Sequence, residues 1–87
     1  MIIPKTFQLA GSKWKVVHRK DLQDLGNCVR DKRQILLQIE QDQISKELAF
    51  THELVHAIKF TMGEQDHSEK EVDAFGHLLH QFLTTQK

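Results

Sequence analysis

The segment of this chain best suited to chemistry is "HELVH", which runs from His52 to His56. On a helix, residues four apart lie one turn above each other on the same face, so His52 and His56 can both reach one metal ion. Glu53 points away from this pair but stays close enough to act on a water at that ion. The spacing therefore predicts a catalytic zinc site, with His52 and His56 as metal ligands and Glu53 as the catalytic base.

A short motif of this kind also arises by chance in a chain that contains six histidines. The alternative interpretation is two surface histidines beside a charged residue. However, the motif falls inside a helical and largely apolar stretch, where two histidines and an uncompensated glutamate would be costly. The sequence context therefore favours a metal site.

A catalytic zinc ion takes three protein ligands and leaves a position for water, so a third ligand is required. Glu69 and Asp73 lie four apart on one face of a second predicted helix. We expect Glu69 to be the third metal ligand and Asp73 to accept a hydrogen bond from a ligand histidine. Ser68 and Glu71 match a capping box, which gives Glu71 a purely structural explanation. Asp66 and Glu69 have the same spacing, so helix capping is the alternative role of Glu69.

Two helices are predicted in the second half of the chain, where the hydrophobic period changes. The first begins near Asp42 and ends at Gly63, and it is apolar around much of its circumference, so we expect it to be central. The second runs from about Ser68 to Thr84, and Gly76 would allow it to approach a neighbour closely. Its predicted apolar face carries Val72, Phe75, Leu79, Phe82 and Leu83.

The first half of the chain alternates apolar and polar residues, which is typical of strands. Segments 7–9 and 14–16 flank Gly11 and predict a hairpin. Segments 28–29 and 35–39 flank a charged turn at 30–33 and predict another. We therefore expect an α+β fold, with a small antiparallel sheet of three or four strands followed by two packed α-helices. At 87 residues, positions 1–87 are predicted to form a single domain.

The bulk composition argues against several kinds of partner. Twelve Lys and Arg balance twelve Asp and Glu, so there is no broad basic surface to attract nucleic acid or an anionic membrane. No segment approaches the roughly 20 apolar residues that a membrane span needs, and the first residues do not resemble a signal peptide. A single Cys28 cannot form an internal disulfide, which fits a cytoplasmic protein. We expect Cys28 to be a small buried apolar residue.

Taken together, these motifs resemble those of the gluzincin metallopeptidases. The segment "HELVH" is followed on the second predicted helix by "EKEVDAF", residues 69–75. The similarity is greatest to the small zincin-like domains of the ImmA/IrrE type, found in bacteria and their phages, and it covers residues 44–83 best. Many members of that family have Asn at the position of Asp73, and many have a further helical region that these 87 residues do not contain.

The resemblance implies a zinc-dependent peptidase that acts on protein or peptide substrates, with transcriptional repressors among them. The expected reaction is hydrolysis of a peptide bond by a water that Zn²⁺ activates, with Glu53 as general base. Larger gluzincins commonly use a Tyr or His to stabilise the oxyanion as well. This chain has no Tyr. The candidate donors are therefore His67, His77 and His80.

Two alternatives to a peptidase stay open at this point. One is a metal-binding recognition or regulatory module without catalytic turnover, because a short chain has little material for a cleft. The other is a structural zinc protein whose fourth ligand is His67 or His80. For the peptidase, we expect a substrate in extended form along an exposed edge of the sheet, where main-chain hydrogen bonds can form.

Overall fold

A computed structural model describes residues 1–86 and shows a four-stranded sheet followed by two packed helices, which confirms the predicted α+β class. A turn of 3-10 helix, Arg30–Lys32, joins the third strand to the fourth. The strands are β1 (Thr6–Leu9), β2 (Ser12–Arg19), β3 (Gly26–Val29) and β4 (Gln34–Gln38), and the helices are α1 (Gln43–Thr61) and α2 (Glu69–Thr85).

Both predicted hairpins are present. Strands β1 and β2 pair antiparallel through Ala10 and Gly11, whose φ angles are 49° and 80°. Two successive residues with positive φ make a type I′ turn, whose twist matches that of the strands it joins. Strands β3 and β4 also pair antiparallel, and Arg33, with φ of 52°, ends the charged turn between them.

The sheet is mixed, and the prediction of a wholly antiparallel sheet was wrong. The strand order is β1-β2-β4-β3, and β4 lies parallel to β2 with Val16 opposite Ile35. Alternation of period two is the same in both kinds of pairing, so the sequence pattern cannot show the direction of a neighbour. The parallel pairing makes β4 a central strand and leaves β3 at one edge, where it contacts α1.

Helix α1 is the central element, as predicted from the apolar residues around much of its circumference. Asp42 caps its first turn by accepting a hydrogen bond from the Ser45 amide at 2.8 Å. At the other end, Gly63 has φ of 89°, and the amides of Gly63 and Glu64 donate to carbonyls of the last turn in a Schellman motif. With β2 and β4 the helix forms the buried core, which contains Trp14, Ile35, Leu37, Ala49, Phe50 and Ala57.

Helix α2 packs mainly on α1. Its cap is Ser68, whose hydroxyl oxygen accepts a hydrogen bond from the Glu71 amide at 3.2 Å. Val72 and Gly76 are buried against the neighbouring helix, but Phe75 and Phe82 are each 58 % exposed, so only part of the predicted apolar face is covered. Neither α1 nor α2 has the combination of length and hydropathy that crossing a membrane requires.

Candidate metal centre

The three predicted metal ligands come together where α1 and α2 pack. The candidate ligand atoms of His52, His56 and Glu69 all lie within 4.8 Å of one another. Nε2 of His52 is 3.3 Å from one carboxylate oxygen of Glu69, and Nε2 of His56 is 2.9 Å from the other. Three potential donors from two helices therefore face one small volume, and metal binding there stays a prediction.

Helix geometry and close packing account for this arrangement. His52 and His56 occupy successive turns of α1 and share a face. Glu69 is the first residue of α2, directly after the Ser68 cap. A methyl group added to Gly76 would lie 3.0 Å from Cα of His52, so α2 comes as near to α1 as a residue without a side chain permits. This close approach lets the Glu69 carboxylate reach both imidazoles.

The electrostatics of the cluster fit a cation. Burial lowers the pKa of His56, which favours the neutral imidazole. A neutral imidazole offers a lone pair, and the Glu69 carboxylate offers only lone pairs, so the two repel unless a proton or a cation lies between them. Two histidine nitrogens and one carboxylate are a donor set that zinc takes in catalytic sites. The residues that the structure brings together therefore fit zinc.

Asp73 lies one turn beyond Glu69 on α2, near the other nitrogen of His52. Its Oδ1 is 3.5 Å from Nδ1 of His52 and 3.6 Å from Nδ1 of His77. The contact with His52 is slightly longer than a normal hydrogen bond. Its direction is the one expected for a group that orients a ligand imidazole, because Nε2 of the same ring then faces Glu69.

Glu71 stands apart from the cluster and links the helices in another way. Its carboxylate pairs with Lys59 of α1, and this hydrogen bond lowers the pKa of Glu71. Only half of the predicted capping box is formed, since the Ser68 hydroxyl accepts from the Glu71 amide while the Glu71 side chain turns to Lys59. Ser68 caps the helix, so the alternative role of Glu69 in a cap begun by Asp66 was wrong.

Glu53 is buried beside the edge strand, with 9 % of its surface exposed. A methyl group on Gly26 of β3 would lie 3.1 Å from Cγ of Glu53, so this glycine leaves room for the side chain. Within residues 1–86 its carboxylate forms no hydrogen bond or ion pair. Burial, with a smaller contribution from Glu69, raises the pKa of Glu53 to about 7. A carboxyl group titrating near neutrality is suited to proton transfer.

Cys28 of β3 packs against the core. It was predicted to be buried, and the structure shows it half-buried. Burial raises the pKa of its thiol to about 12, and the Glu53 carboxylate adds to the effect. The thiol is therefore protonated at neutral pH, as expected for a side chain that serves packing.

An open cavity of about 420 Å³ adjoins His52 and Glu53. It gives the Glu53 carboxylate a route to solvent and to any molecule that enters. The cavity lies between the edge strand and the two helices, and its other lining residues are Leu25, Gly26, Ser45, Leu48, Ala49, Asp73 and His77.

The three candidate oxyanion donors have different surroundings. His77 lines the cavity. His80 instead points to Glu47, with 2.8 Å between its Nε2 and the carboxylate, and His67 lies against His56. In the part of the chain that the structure describes, the cluster of possible ligands includes neither His67 nor His80.

In comparisons with known proteins, no family model, curated protein or solved structure matches this chain. The resemblance to the ImmA/IrrE-type domains therefore stays a prediction from the residues of the two helices.

Proposed function

We propose that this protein is a zinc-dependent peptidase in which His52, His56 and Glu69 hold the ion and Glu53 is the general base. The observation that carries the proposal is the convergence of these three ligand atoms within 4.8 Å of one another. Glu53 supports it, since its buried carboxylate has no hydrogen-bond or ion-pair partner within residues 1–86, and burial of such a group is costly unless it serves a function. A structural zinc site would close its coordination with a fourth protein ligand.

Each protein group has a defined part in the proposed reaction. When bound, zinc supplies a Lewis acid that lowers the pKa of a water molecule and polarises a peptide carbonyl. Glu53 takes a proton from the water as the water oxygen adds to the carbonyl carbon. The same carboxyl group then gives that proton to the amine nitrogen as the C–N bond breaks. Glu53 lines the cavity next to His52, so its carboxylate is placed to take this proton and to return it.

We propose that the substrate is a protein or peptide that lies in extended form along β3. Among the described residues this strand pairs only with β4, so its outer side is an edge at which a peptide can form main-chain hydrogen bonds. Gly26 of β3 lines the same cavity as Glu53, so a peptide on this edge would pass the base. The family resemblance adds transcriptional repressors to the candidate substrates.

The apolar part of the cavity lining supports a preference for an apolar substrate side chain next to the cleaved bond. The residues concerned are Leu25, Leu48 and Ala49. A net charge of zero argues against a nucleic acid partner. A cytoplasmic location is part of the proposal, and the free thiol of Cys28 is in keeping with it.

His77 is the residue best placed to stabilise the oxyanion. It lines the cavity, and its Nδ1 donates a hydrogen bond to the Asp73 carbonyl at 2.9 Å. With Nδ1 engaged in this way, Nε2 donates to a substrate oxygen when the ring is protonated.

The substitution Glu53→Gln tests the proposed function. Gln has nearly the same shape and helix propensity, but it cannot accept the proton. Zinc-loaded wild type is incubated with unfolded proteins and a peptide library, and cleavage is followed by mass spectrometry. At equal zinc content, Glu53→Gln should lose at least about 10²-fold to 10⁴-fold in rate. The exposed Glu40 provides a matched control, since Glu40→Gln should cleave as the wild type does.

A metal-binding recognition module is the second candidate, and the open cavity beside the cluster favours it, because such a cavity can hold a peptide without cleaving it. A module of this kind binds zinc and leaves every substrate in the panel intact. Equal cleavage by wild type and Glu53→Gln would instead show that Glu53 is not the base.

A further inference from the structure

His67, in the loop between α1 and α2, lies against His56. Its Nε2 is 2.7 Å from Nδ1 of His56, and its Nδ1 is 2.9 Å from the carbonyl oxygen of Glu64. The ring of Phe60 packs beside both imidazoles, with centroid distances of 4.9 Å to His67 and 6.3 Å to His56. A carbonyl, an imidazole and a second imidazole thus form a continuous chain of hydrogen bonds.

The Glu64 carbonyl at the end of this series of hydrogen bonds determines which ring nitrogens carry the protons. A carbonyl oxygen only accepts, so Nδ1 of His67 donates to Glu64. When both rings are neutral, Nε2 of His67 then has a free lone pair, and Nδ1 of His56 must donate to it. Nε2 of His56 is left with its own lone pair free. That atom is the one that lies 2.9 Å from Glu69.

We propose that His67 is a positioning residue, which holds His56 in the Nδ1–H tautomer with Nε2 directed at the metal. The inference rests on the zinc site of the proposed function. His67 itself contributes no atom to the ligand cluster within the described residues. Its contact is with the ring nitrogen of His56 that does not face Glu69. Hydrogen bonds to this second nitrogen fix the orientation of ligand imidazoles and raise their basicity.

Two substitutions separate hydrogen bonding by His67 from its packing. His67→Leu keeps an apolar side chain next to Phe60 but removes the acceptor. His67→Gln can place its amide oxygen near the position of Nε2 and so restore the acceptor. Zinc affinity is measured by competition with a chromophoric chelator. We expect His67→Leu to lower the affinity by about 10-fold to 100-fold and His67→Gln to retain most of it.

His18 provides a matched control. It is an exposed histidine on β2 and belongs to no ligand cluster in the described part of the chain. His18→Leu removes an imidazole of the same chemistry from a different surface. It should bind zinc as tightly as the wild type.

The tautomer of His56 provides a second measurement that depends on neither zinc nor catalysis. It is made without metal in a Glu69→Ala background, so that no carboxylate competes for a proton at Nε2 of His56. Nitrogen-15 NMR distinguishes a protonated from an unprotonated ring nitrogen, and we expect Nδ1–H at His56 in this background and when His67→Gln is added. When His67→Leu is added instead, this preference should be lost while the amide spectrum still shows a folded protein.

The outcomes distinguish the two proposals. Zinc binding that is equal in wild type and His67→Leu, or an equal loss in His67→Leu and His67→Gln, would overturn the role of His67 and leave the zinc site intact. A His56 without Nδ1–H in the Glu69→Ala background would do the same. Absence of zinc binding by the wild type would overturn the proposed function, and this inference with it.

Discussion

Gly76 of α2 lies directly against the backbone of His52 in α1. A methyl group on Gly76 would be 3.0 Å from Cα and 3.1 Å from the amide nitrogen of His52. These are backbone atoms of a buried helix, which cannot turn aside as a flexible side chain can. The crossing point of the two helices is therefore also the point at which the first histidine of the cluster is held.

Gly76→Val should force the helices apart. We expect it to lower the free energy of unfolding by about 1 to 3 kcal/mol more than Ala74→Val, a matched change at an exposed position of α2. Because the displacement also moves Glu69 away from His52, zinc affinity should fall in Gly76→Val alone. Denaturant unfolding and chelator competition measure the two effects. Equal stability of the two variants would contradict the close contact.

Glu69→Ala should remove a metal ligand, whereas Glu71→Ala should break the ion pair with Lys59. We expect a large loss of zinc affinity in the first variant. In the second we expect unchanged zinc affinity and only a small loss of stability, because the Glu71 side chain is exposed to solvent. Metal analysis and thermal unfolding of both variants provide the comparison. The reverse order of zinc affinities would show that the ligand is misassigned.

Asp73→Ala should weaken zinc binding by about 10-fold to 100-fold without removing a ligand. The reason is the contact of 3.5 Å between its Oδ1 and Nδ1 of His52. Asp73→Asn retains an oxygen acceptor at the same place and should bind zinc nearly as well as the wild type. Chelator competition compares the variants, and an equal loss of zinc affinity in both would indicate that the charge of Asp73, and not an oxygen near Nδ1 of His52, is what matters.

His77→Ala should lower the turnover number by about 10²-fold to 10³-fold, the usual cost of losing one oxyanion donor. Zinc affinity should be unchanged, because His77 is not in the ligand cluster of the described residues. Steady-state kinetics on a cleaved peptide, with zinc content measured in parallel, test this. A variant that turns over as fast as the wild type would exclude His77 from the reaction.

Glu47→Gln should reduce stability at neutral pH and lose this effect in acid. The hydrogen bond from His80 lowers the pKa of Glu47 below its ordinary value of 4.5, although burial opposes the shift. A depressed carboxyl pKa contributes stability that is present above 4.5 and lost as the pH falls through the lower, folded value. Removing one partner should cost about 1 to 3 kcal/mol at pH 6.

Unfolding of Glu47→Gln and wild type is compared between pH 6 and pH 3. The difference in unfolding free energy should shrink below pH 4.5. Glu40→Gln provides a control at an exposed carboxyl group and should show little difference at any pH. A difference that does not change with pH would show that the Glu47 carboxylate is not held in its charged form.

Local patterns were sufficient to predict most elements of this fold. The hydrophobic period predicted both helices. The turns and caps that the structure contains were marked by Gly11, Asp42, Gly63 and Ser68. Such patterns could not predict the parallel pairing of β2 with β4, because this pairing depends on the path that residues 20–33 take between the two strands. Likewise, the exposure of Phe75 depends on which element covers α2, and its own sequence does not specify that.

In the candidate site, too, local patterns predicted some contacts and missed others. The spacing of His52 and His56 within one helix predicted that they lie together. Glu69 was chosen as the third ligand because it shares a helical face with Asp73. The contact of His67 with His56 was missed, because it depends on the path of a loop after Gly63 and has no periodicity. The buried pair of Glu47 and His80 was missed as well. A carboxylate in the most apolar helix was its only sequence signal.

The proposed ligands are all near one another along the chain, between His52 and Glu69. An ion bound to them would close a short loop, at little entropic cost, in a chain whose sheet has not yet formed. The sheet, by contrast, requires the crossover that sets Val16 beside Ile35. Since local contacts form sooner than distant ones, zinc would be expected to speed folding by joining α1 and α2 first.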